Sequence, residues 1–515
     1  MLKSVLILPV LALCACEAYK ILVIFQLPGK SHSILGDGYV RHLIKAGHEV
    51  WYITPYPKKD VPANLHQIDI SEVSASPLES LTNINAVLDK EQDLTDESKF
   101  FDLFLNITRI TLNNQHVKNM LDDPNQTFDV VVVEWMLLDI FAGFSAVFGA
   151  PLIWSSSVEP HPAILELMGE EVNTAYTPDI RSSSAPPYSF VDRVHSLFMN
   201  SALKLFKFFY YTEAEKGVYD TVFGPYAAKR GRELPSYYEM RFNASLVLGN
   251  SHVSLGQATT VPQSYKSIGG YHIDDEVAPL PKDLQKIMDS AKDGVIFFSM
   301  GSTLKSEQFP NILKQNLLQM FGGLKQTVIW KFEEVIKDLP KNVHVLQWAP
   351  QQSILAHPNL ILFITHGGLL STTEATHFSV PIIGIPVFGD QYANVARAVK
   401  KGFAKKVDLS YNVAEDLAVA IDEILTDPKY KSKAKELSFI YHHRPVSPGK
   451  ELVHWIEHVV ETRGALHLRT PAFHHAWYQK MYLDLAALVL LCFVTVCFIL
   501  RIIFKSKSDL NKKNN

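Results

Sequence analysis

The sequence predicts an α/β protein of two doubly wound domains facing a cleft, followed by one C-terminal transmembrane helix. Two successive series of strand and helix patterns predict the domains, and one uninterrupted apolar run near the C-terminus predicts the span. In the first series, Lys20-Ile-Leu-Val-Ile-Phe25 reads as a buried strand. A Gly/Ser loop follows it, then helical spacing over residues 39–46 and a second strand over 49–54, which together make a βαβ unit. Strand runs recur at 128–133, near 151–155 and at 245–250, with helical stretches between them. Continuous apolar runs of this kind suit a parallel sheet covered on both faces. A stretch rich in Gly, Pro and acid, 269–281, interrupts the pattern. The second series then runs through 295–299, 327–330, 343–346, 360–364 and 381–385. No tandem repeat is present, which excludes a solenoid or propeller. Sheets of the doubly wound kind take their ligands beyond the carboxyl ends of the strands.

Composition narrows the class. The chain has 515 residues, 47% hydrophobic and 20% charged, which is a globular balance and excludes a disordered or fibrous protein. Lys+Arg number 49 and Asp+Glu 53, a net charge of -4, so no global basic field would recruit a nucleic-acid backbone. The four cysteines, Cys14, Cys16, Cys492 and Cys497, lie at the two ends, so the middle holds neither a cysteine zinc site nor a disulfide framework.

The ends read as an address. Residues 1–18 run from Lys3 through an apolar stretch to small residues near Cys16 and Ala18, the order of a secretory signal cleaved near Ala18. Residues 485–504 form one membrane span, broken only by Arg501, whose long side chain can snorkel. Lys505, Lys507, Lys512 and Lys513 follow in a cytosolic tail, 505–515, which places the body in the lumen with type I topology. The final Lys512-Lys513-Asn514-Asn515 resembles the dilysine retrieval signal of endoplasmic reticulum membrane proteins. Sequons at Asn106, Asn125 and Asn243 fit a lumenal, glycosylated body. The expected organisation is a signal at 1–18, a first domain at 19–268, a second at 269–445, C-terminal helices and a juxtamembrane segment at 446–484, then span and tail.

The most informative stretch is 348–391. Its strand 360–364 ends in Thr365-His366-Gly367-Gly368, and a helix is expected from about Ser371. Such a loop aims backbone N–H groups and a helix N-terminus into the cleft, which suits a diphosphate. His366 can donate to a phosphate oxygen, and the paired glycines would let a ligand approach the backbone. Ser371-Thr-Thr-Glu374 also reads as a capping box, a role that needs no ligand.

In spacing this stretch closely resembles the donor-binding signature of the UDP-glycosyltransferases. Trp348, Gln351, His366, Gly368, Ser371, Glu374, Asp390 and Gln391 all fall in register with it. The resemblance extends to the signal, the body and the Trp477-Tyr-Gln479 that leads into the span. It implies the GT-B arrangement of two Rossmann-like domains, with a UDP-sugar as co-substrate and no further cofactor. Trp348 would stack on uracil, Glu374 accept from ribose hydroxyls, and Asp390 and Gln391 hold hydroxyls of the sugar. His366, Gly367 and Gly368 would face the diphosphate, and Ser302, at the end of Phe297-Phe-Ser-Met-Gly-Ser302, would add a contact. Leu370 stands where many plant relatives carry Asn, so that phosphate contact passes to Ser371 or backbone.

The chemistry is expected in the first domain. A base with a pKa near working pH favours His, and His32, in a loop beyond the first strand, matches the family's catalytic His by position. Glu134, ending Phe128-Asp-Val-Val-Val-Val-Glu134, stands where vertebrate members have Asp and would hold the imidazole tautomer. His48 reads as structural. No Asp-x-Asp metal clamp occurs, so the expected mechanism is metal-independent single displacement with inversion. The expected acceptor is a small lipophilic phenol or polyphenol, giving an O- or C-glycoside. Aromatic stretches at 100–105 and 203–211 either line its pocket, lie against the lumenal leaflet or pack in the core. Resemblance to invertebrate members favours glucose as the sugar. A glucuronate donor and a non-catalytic lumenal sugar-nucleotide-binding subunit are the alternatives. No G-x-S-x-G elbow is present, which excludes an α/β-hydrolase. The sequence neither requires nor forbids an oligomer.

Overall fold

Runs of Val, Ile and Leu that are apolar on both sides build two all-parallel sheets, seen in a computed structural model that describes residues 18–75, 84–89, 97–177, 179–180, 184, 186–302 and 306–513. Most of the expected signal, residues 1–17, and the terminal Asn514 and Asn515 lie outside the described residues. The first sheet has seven strands: β1 (Lys20–Ile24), β2 (Glu49–Thr54), β3 (Leu65–Asp69), β4 (Val130–Trp135), β5 (Leu152–Ser156), β6 (Leu246–Gly249) and β7 (Tyr265–Ser267). They lie in the order β3-β2-β1-β4-β5-β6-β7. The second sheet has six: β8 (Val295–Ser299), β9 (Thr327–Lys331), β10 (Val343–Leu346), β11 (Leu360–Thr365), β12 (Ile382–Gly384) and β13 (Ala404–Lys406). Their order is β10-β9-β8-β11-β12-β13, the same winding as the first. Each sheet therefore reverses direction once, between β1 and β4 and between β8 and β11, and opens a crevice there.

Three strands escape the apolar pattern. β3, β7 and β13 each lie at a sheet edge with a single neighbour, so polar residues such as His66, Lys266 and Lys405 are tolerated in them. The first helix, α1 (Lys30–Lys45), also corrects the sequence reading, since it begins nine residues before the expected start at residue 39. Gly36 and Gly38 lie inside it and weaken its signature. Their purpose is packing: a Cβ at Gly36 would stand 2.2 Å from the Tyr52 hydroxyl, and one at Gly38 would stand 2.9 Å from the Tyr271 ring.

The segment after the second domain returns to the first. A helix, Pro448–Glu461, buries Leu452, Ile456 and Val459 in the same core cluster as Leu35, Tyr39 and Leu43 of α1. His48 is structural, as expected: it is fully buried, accepts from the Tyr19 N–H (3.2 Å) and lies 3.1 Å from Glu457 of that returning helix. The linker between the domains is held by Arg41, which donates to the Tyr271 carbonyl (2.9 Å) and pairs with Asp274 (2.6 Å). The expected span lies within a helix, Leu483–Lys513, whose first 23 residues contain a stretch of mean hydropathy 2.8 with no buried fraction. At about 1.5 Å per residue that stretch is long enough to cross a bilayer. All three sequon asparagines are exposed.

Ile456→Ala, which empties the contact between the returning helix and α1, is expected to lower stability by about 2–5 kcal/mol in denaturant titration of the detergent-solubilised chain. Val419→Ala, at a position 70% exposed, is expected to change it by less than about 0.5 kcal/mol.

Candidate active site

The crevice of the first sheet brings His32 and Glu134 together. β4 pairs directly with β1, so Glu134 extends past the end of β1 at the level where the chain turns into α1. His32 lies in the first turn of that helix, not in a loop. Its Nδ1 is 2.5 Å from Glu134 Oε1. Glu134 is only 1% exposed, and the Ser157 hydroxyl donates to the same oxygen. Because a carboxylate receives Nδ1–H, the neutral ring carries its lone pair on Nε2. Burial pushes the imidazole pKa down, but the charge and hydrogen bond of Glu134 outweigh it, with Asp390 adding to them, and the net shift is upward from 6.5. The side chain keeps 23% of its surface open to the cleft.

The crevice of the second sheet holds the other group of residues. The helix after β11 spans Leu369–His377, with Gly368 as its N-cap and no side-chain cap, so it starts two residues earlier than expected. Ser371 and Glu374 consequently lie within the helix and form no capping box. Instead Gln351 Nε2 donates to both, at 3.1 Å to Ser371 Oγ and 2.6 Å to Glu374 Oε2. His272 Nε2, from the linker, lies 3.5 Å from the other Glu374 oxygen.

The glycines of this crevice accommodate protein side chains. A Cβ on Gly301 or on Gly368 would stand 2.6 or 2.5 Å from the His366 ring, and one on Gly367, whose φ is +81°, would stand 2.3 Å from Val395. They make room for an imidazole and a valine. Burial, reinforced by the Lys331 charge, lowers the His366 pKa to about 4. The ring is therefore neutral and offers one N–H.

Lys331 is a residue the sequence reading passed over. It ends β9 as the only polar member of Val-Ile-Trp-Lys331, is 8% exposed, and donates to the Gly301 carbonyl (2.8 Å) and Glu333 (2.7 Å). Its ammonium lies 5.9 Å from the ring centre of Trp348, whose indole is 62% exposed. A tryptophan so open is not a core residue.

Asp390 and Gln391 face the first domain across the cleft. Asp390 accepts from Asn394 Nδ2 (2.8 Å); burial raises its pKa, and the charge of His32 is among the influences opposing that rise. The Gln391 carbonyl oxygen already accepts from the N–H groups of Val387 (2.8 Å) and Phe388 (3.2 Å), which leaves only its NH₂ for a ligand. His32, Ser302, Trp348, Gln351, His366, Gly368, Ser371, Glu374, Asp390 and Gln391 line one cleft of about 1950 Å³. Gly367 and Glu134 stand just behind its wall, supporting Val395 and His32.

Beyond His32 the cleft becomes apolar, with Phe100, Phe104, Met136, Met199 and Leu203 in its lining. The 100–105 stretch serves pocket and core together, since Phe101 lines the cleft while stacking on Tyr211 at 4.6 Å. Below lies a buried charge network that no short motif announces. Asp139 pairs with Lys207 (3.1 Å) and Arg241 (2.9 Å) and accepts from Trp135 Nε1 (2.7 Å), while Tyr237 donates to Glu215 (2.5 Å).

Comparison with known proteins agrees with this geometry. The family described as UDP-glucoronosyl and UDP-glucosyl transferase matches residues 31–513. The chain is 34% identical over 511 residues to UDP-glucosyltransferase 2 of Dactylopius coccus, covering 96% of each. It is 30% identical over 495 residues to UDP-glucuronosyltransferase 3A2 of Homo sapiens, covering 92% of this chain and 90% of that one. Among solved structures, the glycotransferase of kitacinnamycin matches with a TM-score of 0.56 at 17% identity, over 86% of this chain and 99% of that one. CalG4, the calicheamicin glycosyltransferase, matches with a TM-score of 0.56 at 16% identity, over 87% and 99%. These two likenesses establish the GT-B fold of paired doubly wound domains. With a family match over nearly the whole length, the chain belongs to the UDP-glucuronosyl and UDP-glucosyl transferases.

Proposed function

We propose that the protein transfers glucose from UDP-glucose to a small lipophilic, phenolic or polyphenolic acceptor by inverting displacement. The observation that carries this reading is the His32–Glu134 pair set opposite Asp390 in one cleft. His32 Nε2 takes the acceptor proton as the acceptor oxygen bonds to the anomeric carbon and the bond from that carbon to the diphosphate breaks. Glu134 stabilises the imidazolium that forms. For a polyphenol, the same deprotonation makes a ring carbon nucleophilic, so a C-glycoside is open to the same residues. The departing diphosphate is met by the N-terminus of the Leu369–His377 helix, the single N–H of neutral His366, Ser302 and the Lys331 ammonium. That set gives charge stabilisation without calling on a metal.

Trp348 supports uracil, and Glu374, held by Gln351, supports the ribose hydroxyls. Asp390 and the Gln391 amide support the sugar. The apolar half of the cleft supports a lipophilic acceptor, and similarity to UDP-glucosyltransferase 2 supports glucose. The exposed sequons and the apolar helix support a type I protein of the endoplasmic reticulum membrane with both domains in the lumen. Similarity to a UDP-glucuronosyltransferase favours glucuronate as the second reading.

Microsomes containing the full chain are expected to yield labelled product from UDP-glucose and a phenol panel, but none from UDP-glucuronate; product from UDP-glucuronate alone reverses the two readings. His32→Ala is expected to cut transfer by about 10²–10⁴-fold with UDP-glucose binding unchanged, and comparable loss of both would reject the division of labour. Since the His32 pKa is raised above 6.5, kcat/KM falls as pH drops through that raised value and the base becomes protonated. Glu134→Gln removes the charge that raises it, so the acid limb moves to lower pH while the maximum declines. Glu374→Ala is expected to weaken UDP binding by about 1–3 kcal/mol in calorimetry.

A further inference from the structure

One face of the first sheet turns from apolar to polar at a single level. Along β4, Val130 and Val132 enter the core that α1 covers, and the next side chain on that face is Glu134; along β5, Ile153 is followed by Ser155. Glu134 and Ser155 are register partners in the parallel pair, so their side chains stand side by side. Tyr39 of α1 and Tyr271 of the linker pack over this face, edge against face, with ring centres 4.9 Å apart. None of the four residues is more than 1% exposed. Burial pushes both phenol pKa values up, so both hydroxyls keep their protons, and Ser155 and the Glu134 charge are among the neighbours that act on each of them.

Four polar atoms at this level make no direct hydrogen bond among the described residues: Glu134 Oε2, Ser155 Oγ and the hydroxyl oxygens of Tyr39 and Tyr271. Glu134 Oε1 is by contrast engaged twice, by His32 Nδ1 and by the Ser157 hydroxyl. Buried polar groups in folded proteins are paired with protein or with ordered water. A buried water makes about three hydrogen bonds, and it both donates and accepts. The four atoms match it in kind, since a carboxylate oxygen only accepts whereas three hydroxyls do either. They come from β4, β5, α1 and the linker, so they meet only in the folded chain.

We propose that one ordered water is bound behind the His32–Glu134 pair, donating to Glu134 Oε2 and held by the hydroxyls of Ser155, Tyr39 and Tyr271, and that these three are positioning residues for the base. The water site stands on the burial and grouping of the four atoms alone. The positioning role rests on His32 as the base proposed above. The last torsion of a glutamate is soft, so a carboxylate held through one oxygen can swing. Held through both, it keeps Oε1 aimed at Nδ1. The site carries a net negative charge while His32 is neutral and none once His32 is an imidazolium, so hydrogen bonds given to the carboxylate favour the neutral ring. Tyr52 of β2 also acts toward Glu134, and Asp390 of the second domain toward His32; both are left unaltered in the test.

The test uses the full chain in detergent. A density map that resolves ordered water is expected to show a peak bonded to Glu134 Oε2 and to at least two of the three hydroxyls. No peak there overturns the water site, whatever the activity. The positioning role is read from the pH profile of kcat/KM in Tyr271→Phe, Tyr39→Phe and Ser155→Ala, each of which removes one oxygen and keeps the rest of the side chain. The control is Tyr265→Phe, whose buried hydroxyl is paired with Ser251 (3.1 Å). In each of the three the acid limb is expected to move to higher pH by about 0.5–1 unit, opposite in direction to Glu134→Gln, and in the control to stay in place. Ser155→Ala, on a different element, decides the result where a tyrosine variant does not fold. An unmoved limb in the three, or an equal move in the control, overturns the positioning role. An acid limb that persists in His32→Ala rejects His32 as the base and the positioning role with it, while the map still judges the water site.

Discussion

Parallel pairing obliges every strand to finish on the same edge of its sheet, and most of the residues set around the cleft are there because of that constraint. Between β1 and β4 the connections leave in opposite directions, so nothing covers the edge at that point. His32 and Glu134 occupy the gap because one opens the helix after β1 and the other extends β4 beyond it. The same winding in the second sheet places Gly301 and His366 at the gap between β8 and β11. Two sheets facing each other edge to edge therefore bring the two groups of residues into one cleft.

Within that cleft the two imidazoles are driven apart in acidity by what stands beside them. Both pay for removal from water, which disfavours the cation. His32 has a buried carboxylate 2.5 Å from Nδ1 and is pushed upward in spite of the burial. His366 has an ammonium as its charged neighbour and is pushed down to about 4. One ring is thus held more basic than a free imidazole, and the other is left neutral, able to donate a hydrogen bond without gaining charge.

Much of this was legible in the sequence, for identifiable reasons. The central strands announce themselves because burial on both faces demands runs such as Val130–Val133. Three of the four edge strands, β3, β7 and β13, do not, since a strand with one neighbour accepts Lys266 or Lys405, whereas β10 keeps its alternating Val and Leu. The spacing from Trp348 to Gln391 picked out residues that gather at the second crevice, but not the packing of their glycines, which depends on the His366 ring being wedged between Gly301 and Gly368, 67 positions apart in the numbering. Glycines inside α1 likewise hid the turn that carries His32, because the Tyr52 and Tyr271 side chains they accommodate come from distant segments. Lys331 left only the faint signal of one polar residue closing an apolar strand.

The helix Pro448–Glu461 belongs to the core of the first domain although it follows the second in the chain. The second domain is accordingly an insertion, entered through the linker near Tyr271 and left again before Pro448, and the first domain is discontinuous in sequence. Two crossings, unlike one, define an axis. A hinge of this kind would favour opening and closing about the line joining the crossings over twisting or sliding. A fragment that stops before residue 448 would leave α1 with its Leu35, Tyr39 and Leu43 surface uncovered, so neither half corresponds to a simple cut in the chain.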